Sequence, residues 1–589
     1  MELLVTGLDN KNNLVIGEKG HISLDWSSKL FDLILQIDFQ SVRETNYKLQ
    51  EYNEKINNIY YQIKENKNVM ALKMMYKLIS YVRDILYGKG EYNLSYYQLL
   101  YFYENMKTIN NEMGEKLTKK MIECFVNMGD EHSLGCWKDL KNISEIVFSK
   151  TFEKGNFITD TIVDIYINQI YKDEEDMRSK KNISLMSRWF PRENSKNKLM
   201  FKEVAKKLYK KETKNNYTTI KKEKEEKEEK MKKFIYMSLR KRIAKLNKYL
   251  DTVQIKMCNK EWKNINFDNV TSLTIQKQKK SFLNLKKDSS ERYNDEDRKE
   301  CKNNFELFIN NNDTIKGKRC SLYNFVKDTM DTYNKREWDV INKQWDSYIE
   351  QFNNFTNMIP LVDTSQSMSD DKCIPLYNAI GLGIAISQKN DNIFKDRIMT
   401  FSANPNWITL DKQKTFTEKV RKISNNSDWG YNTNFYSALK LILDVILEKE
   451  IPPDNVENMI LVILSDMQID VADEGHITNQ QRTLFENIEK EYETTGLKSK
   501  YKKPYKAPHI LFWNLRKTNN FPVKSETKNT TMVSGYNLGV LNKFCENGIE
   551  SLKEINPLVN LKEALNNKRY DSISNYFDDM VEKYNNNLF

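Results

Sequence analysis

Apolar positions along this chain follow two different rhythms. Through the first 215 or so residues they recur three and four apart, as on one face of a helix. The stretches 28–38, 68–87, 96–107 and 114–128 read as helices, and Leu72, Met75, Leu78, Ile79 and Val82 mark one apolar face. Breaks at Gly88-Lys89-Gly90 and Gly129-Asp130 separate neighbouring helices. The pattern predicts a solenoid-like stack of short antiparallel helices, without a period clean enough to name a repeat. Residues 221–233, KKEKEEKEEKMKK, are charged with mixed signs and read as an exposed helix or its extension. The polar region 275–315 is expected to hold a mobile loop, and 321–355 returns to helix with Trp338 and Trp345.

Near residue 356 the rhythm changes. Short runs at 357–362, 396–402, 407–410, 458–465, 508–514 and 531–534 read as strands. They alternate with helices at 374–388, 432–449 and 479–493 and a further helix after Leu538. Leu461–Leu464 is continuously apolar, as a strand buried on both faces must be. The alternation predicts an α/β domain with a mostly parallel, doubly wound sheet whose carboxyl edge binds ligands. The expected organisation is multidomain: an all-α helical-repeat region over 1–350, with a charged insertion near 215–235, then an α/β domain over 351–589. A chain of 589 residues is indeed too long for one ordinary core.

Charge divides along the same line. Residues 1–350 hold 65 Lys and Arg against 52 Asp and Glu, a net +13, and residues 351–589 hold 28 against 30, a net −2. The basic excess can attract a polyanion or simply keep a Lys-rich surface solvated. Seven scattered cysteines without a CxxC pair, and only four histidines, argue against structural zinc and for a reducing compartment. No apolar run is long enough to span a bilayer, and the segment MELLVTGLDNKNN lacks signal-peptide features. An intracellular location without membrane attachment is expected.

The chemistry concentrates at three strand ends. Asp363, Ser365 and Ser367 alternate where the strand 357–362 gives way to a helix, Thr433 precedes another helix, and Asp466 follows the most apolar strand. Two carboxylates and three hydroxyls form an all-oxygen set suited to Mg²⁺ or Mn²⁺. A serine nucleophile needs a base, but His476 lies ten residues beyond Asp466 and His509 starts a different strand. No phosphate-loop motif is present, and a polar N-cap turn accounts for one such loop but not for three.

This five-residue set, in this order and context, resembles the complete metal-ion-dependent adhesion site of von Willebrand factor type A domains. The resemblance implies a Rossmann-like, doubly wound domain that binds Mg²⁺ and takes an acidic residue from a protein partner. The stretches Gly88–Glu91, Gly135–Leu140, Lys181–Pro191, Leu239–Arg242, Ile315–Lys318 and Phe512–Asn514 resemble an uncharacterised family of eukaryotes and giant viruses that joins a helical region to such a domain. The layout is also similar to the Ro autoantigen, with a HEAT-like or TROVE-like helical part beside an A-domain, which implies binding of structured RNA. The Lys- and Asn-heavy composition looks like that of a giant virus, so host cytoplasm or the virion is the expected setting. The resulting expectation is a non-enzymatic, metal-dependent protein-interaction or scaffold protein, with structured-RNA binding by the helical region as the alternative. For the alternative, the candidate basic contacts are Arg83, Lys89, Lys138, Arg188, Arg192, Arg240 and Arg242. Trp137 and Trp513 read as packing residues, and Asn514 as a residue able to touch a partner.

Overall fold

The computed structural model describes residues 14–16, 22–42, 49–129, 131–149, 157–213, 225–391, 393–401, 405–426, 435–468, 484–518, 520–541 and 555–589. The chain forms two compact units built from discontinuous segments. One takes residues 1–95, 267–294 and 302–571, and the other takes 96–266, 295–301 and 572–589. The change of rhythm near 356 therefore marks a change of secondary structure, while the units themselves draw on both sides of it.

The first unit is organised by a six-stranded sheet. Its strands are β3 (Met358–Asp363), β4 (Arg397–Phe401), β5 (Asn406–Thr409), β6 (Ile460–Ser465), β7 (His509–Asn514) and β8 (Thr530–Ser534). A separate hairpin pairs β1 (Leu14–Ile16) with β2 (Ile22–Leu24). The sheet order is β5-β4-β3-β6-β7-β8, parallel throughout except for the antiparallel edge pair β4–β5. β3, β6 and β7 are buried at every position, which is why their sequences are continuously apolar instead of alternating. From β3 the chain crosses to β4 on one side, and it later returns to β6 on the other. That reversal is the topological switch point, where doubly wound sheets open a crevice at their carboxyl ends.

The helix Asp370–Lys389 follows β3 and lies against it. A Cβ on Gly383 would come within 2.6 Å of Val362 Cγ2, so the glycine sets this close approach. The core continues through Phe325, Trp345 and Phe416, with Trp345 stacked on Phe416 at 3.9 Å between ring centroids. Aromatic residues also fill the stretch expected to be polar loop. Ser272–Phe282 and Glu296–Asn311 are helices joined through 283–295, and Phe267 and Phe282 pack at 5.2 Å.

N-terminal residues complete this sheet unit. The helix Leu30–Phe39 is buried over most of its length and ends beside β8. Lys89 reaches across to donate to Ser534 Oγ at 2.7 Å, and its ammonium pairs with Asp38 at 2.7 Å. Arg569 holds Asp84 through Nε at 2.7 Å and Nη2 at 3.0 Å, both side chains being buried.

The second unit is helical. Its main helices are Asn111–Val126, Trp137–Phe148, Phe157–Arg178, Lys198–Glu212 and Glu225–Leu250, with the larger part of Tyr92–Ile109. Asn110 caps the first by accepting from Met113 N at 2.9 Å. Asp139 caps Trp137–Phe148 from inside, accepting from Cys136 N at 2.5 Å and from the Tyr96 hydroxyl. An aromatic chain of Trp137, Tyr166, Phe190 and Phe201 runs through its core. Residues 225–233 of the charged run form the start of Glu225–Leu250, with Glu229 and Lys233 paired at 2.8 Å and exposed, while 221–224 lie outside the described residues. Among the described residues no helix is long and apolar enough to cross a membrane, and no disulfide joins the cysteines.

Candidate metal centre and the fate of the basic residues

β3 and β6 are neighbours in register, Val362 opposite Leu464, so the residues that follow them emerge side by side at the switch point. Asp363 ends β3 fully buried. Its Oδ1 accepts from Ser365 N at 2.9 Å, and its Oδ2 accepts from Ser465 Oγ at 2.6 Å. Ser365 Oγ and Ser367 Oγ lie 3.1 Å apart in the short 3₁₀ turn that follows. Asp371, Lys372 and Cys373 then take left-handed backbone conformations, a sparsely populated geometry for non-glycine residues that turns the chain into its helix. Asp466, also fully buried, accepts from Gln468 N at 3.1 Å through Oδ1. Thus Asp363, Ser365, Ser367 and Asp466 are brought to one edge. Thr433 lies outside the described residues, as does His476.

Burial, and next the charge of Asp466, raise the Asp363 carboxyl to about 7, while the Ser465 hydroxyl and the backbone bond from Ser365 pull the other way. Two carboxylates facing each other in a dry site are a repulsive pair that a hard divalent cation relieves. The neighbouring hydroxyls are hard oxygen donors of the kind Mg²⁺ and Mn²⁺ take, so the donor set fits such an ion. It is a lean set: among the described residues no group of three or more His, Cys, Asp or Glu side chains gathers anywhere.

Arg516 was not anticipated from the sequence. It follows β7, and its Nε lies 2.9 Å from Asp466 Oδ2 without the alignment of a hydrogen bond. Its Nη1 reaches Asp370 Oδ2 at 3.3 Å. Asn514 directs it there, accepting from Arg516 N at 3.2 Å while donating to Phe39 O at 3.1 Å. Asn514 is fully buried and so works inside the fold and not on a partner. A signal was present in part, since a polar Asn at the end of an apolar strand needs buried partners. Trp513 is core, donating to Gly535 O at 2.8 Å. His509 is buried within β7 at 3.0 Å from Thr531 Oγ1, on the strand's opposite end from the serines.

The basic residues named from the sequence separate into three groups. Arg83 and Lys89 are buried in the first unit, and Lys89 is fully engaged with Asp38 and Ser534. Neither is a surface contact. Arg240 and Arg242 are tied to acids of their own unit: Arg240 to Glu193 at 3.2 Å, and Arg242 to Glu174 at 2.6 Å and Glu212 at 2.5 Å. Lys138 and Arg192 are exposed, and Arg188 is half-buried.

Comparison with known proteins divides at the same place as the sequence rhythm. Residues 357–581 match a family described as a domain of unknown function, DUF7788, and residues 152–358 match another, DUF2828. The chain is 24% identical over 519 residues to the uncharacterized protein L728 of Acanthamoeba polyphaga mimivirus, covering 85% of this chain and 80% of that one. In three dimensions it is similar to the RO (RSR) protein of Deinococcus radiodurans, with a TM-score of 0.36 and 10% identity over 88% of this chain and 98% of that one. The residue-level similarity therefore runs to uncharacterised proteins, one of them from a giant virus, and it extends through both the helical and the sheet-bearing parts of the chain.

Proposed function

We propose that this chain is a non-catalytic, divalent-cation-dependent interaction protein that uses the carboxyl edge of its sheet to hold an acidic residue of a protein partner. The observation that carries this reading is the convergence of Asp363, Ser365 and Ser367 with Asp466 at the switch point between β3 and β6. Asp363 and Asp466 would supply negative charge, and Ser365, Ser367 and Thr433 neutral hydroxyl oxygens. When bound, the ion supplies positive charge to which a partner's carboxylate can attach. The chain's own residues orient the site. Ser465 and the Ser365 amide fix the Asp363 carboxylate, and Arg516 sets the charge beside Asp466. The similarity to a giant-virus protein supports infected host cytoplasm or the virion as the setting for such a partner.

Isothermal calorimetry with Mg²⁺ tests the reading. Wild type should take up one ion per chain, and Asp363→Ala should take up none. Capture of partners from the native source, with and without EDTA, should then yield a protein lost in both EDTA and Asp363→Ala. Equal Mg²⁺ uptake by wild type and Asp363→Ala would overturn the site. So would metal-dependent phosphatase or nuclease turnover that Asp363→Ala abolishes, which would show the ion serving hydrolysis instead.

A further inference from the structure

The helical unit carries a second feature of its own. Phe190 is buried against Tyr166 at 5.0 Å and Phe201 at 6.3 Å, anchoring the segment that carries Trp189. Pro191 ends the short helix Met186–Trp189 by holding Phe190 extended, at φ −56° and ψ 138°. Trp189 is thereby held half-exposed on a fixed backbone. Three cations surround its ring: Arg188 Cζ at 5.4 Å, Lys141 Nζ at 5.7 Å and Lys138 Nζ at 5.8 Å from the centroid. Lys138 and Lys141 are three residues apart and share one helix face.

Arg192 and Lys196 lie close enough to add to the repulsion. The Lys141 ammonium is held below its usual range, first by burial and then by Lys138, Lys196 and Arg192, with Glu145 opposing. The nearby acids are already committed. Glu145 pairs with Lys196 at 2.7 Å, Glu193 with Arg240 at 3.2 Å, and Asp139 points inward to Cys136 N and Tyr96. The half-buried Arg188 is lowered by burial, with no acidic neighbour contributing. Three cations around a fixed indole, with Lys196 and Arg192 adding positive charge beside Lys141 and Glu145 alone opposing it there, is an arrangement that an anion stabilises. The open, exposed setting of Lys138 and Arg192 suits an extended polyanion better than an enclosed small molecule.

We infer that Lys138, Lys141, Arg188, Arg192 and Lys196, grouped about Trp189, form a binding site for single-stranded nucleic acid, with phosphates among the cations and a base against the indole. Backbone charge then supplies affinity, and stacking favours unpaired bases over duplex.

Fluorescence anisotropy of the full chain with a labelled uridine 12-mer tests this. Wild type should bind, with log K falling against log salt at a slope of about −3 for roughly four phosphates contacted. Arg188→Glu with Arg192→Glu should weaken binding at least about tenfold and flatten that slope. Trp189→Leu should weaken it about five- to hundredfold. Lys206→Glu with Lys207→Glu, which reverses exposed lysines of the same unit already paired with Glu203 and Asp164, should change it less than threefold. Circular dichroism establishes that each variant is folded, and Arg188→Gln with Arg192→Gln replaces the charge reversal if it is not. Equal losses in the patch and control variants would overturn the site, as would undiminished binding by Trp189→Leu. Binding of duplex, heparin or anionic vesicles as tightly as the 12-mer would also overturn it, showing only a general affinity for polyanions.

Discussion

Two groups of cations in this molecule meet opposite fates. Lys89 is enclosed between Asp38 and the end of β8, where burial lowers its ammonium and raises the Asp38 carboxyl, each partly restored by the other's charge. Arg188 and Arg192, in the other unit, are half-buried and exposed respectively, and neither is shifted by an acidic neighbour. Lys89 joins a sheet to a distant helix, and removing either partner leaves a buried charge. Arg188 sits in the short helix Met186–Trp189 and Arg192 in the turn after it, outside any such enclosed pair, which leaves them available for a ligand. A basic residue in a glycine-flanked turn and one beside a tryptophan look equally suited to bind phosphate, and only their packing separates them.

The comparison breaks most visibly at Lys89. Lys89→Met should cost about 3–5 kcal/mol in urea unfolding near pH 8, because it leaves the Asp38 carboxylate buried without its partner. The loss should shrink as pH is lowered, because burial already favours the neutral form of that carboxyl. A loss under about 1 kcal/mol near pH 8 would mean that the pair does not join these elements.

Asp363 provides an intermediate case, a buried charge with no structural cation enclosing it. Its folded-state carboxyl is raised to about 7, against about 4 in an unfolded chain. Its neutral form therefore stabilises the fold fully below about pH 4, and that contribution is lost as pH rises to about 7. Without magnesium, wild type should lose stability relative to Asp363→Asn by up to about 1.4 kcal/mol per pH unit across that window, then level off. Parallel unfolding curves for the two proteins from pH 4 to 8 would exclude it. The smallest effect belongs to the surface group. Arg188→Gln with Arg192→Gln should shift unfolding by no more than about 0.5 kcal/mol per site, read as a change in urea midpoint.

Much of this was legible because local pattern and burial agree. β3, β6 and β7 announce themselves as apolar runs, and Asp363-x-Ser365-x-Ser367 stands where the first of them ends. The all-α region followed by an α/β sheet follows from the two rhythms alone. Arg516 was not legible, since fifty residues separate it from Asp466 and nothing in a polar turn after a strand shows which carboxylate it will meet. The inward course of Lys89 was hidden for the same reason: Gly88-Lys89-Gly90 reads as a solvated turn until β8 is in place beside it. The helices around 275–311 were obscured because Phe282, Phe305 and Phe308 are sparse among lysines and asparagines, although together with Phe267 they form one cluster.

The contact between Lys89 and Ser534 spans 445 residues of chain. At ribosomal rates of about 5–20 residues per second, on the order of 20–90 s pass between the synthesis of the lysine and of its partner. During that interval the helix Leu30–Phe39 has no β8 to cover its apolar surface, and Asp38 and Lys89 have only each other. The sheet-bearing unit can therefore close only after β8 has left the ribosome, which makes the newborn segment around Leu30–Phe39 a natural client for chaperones.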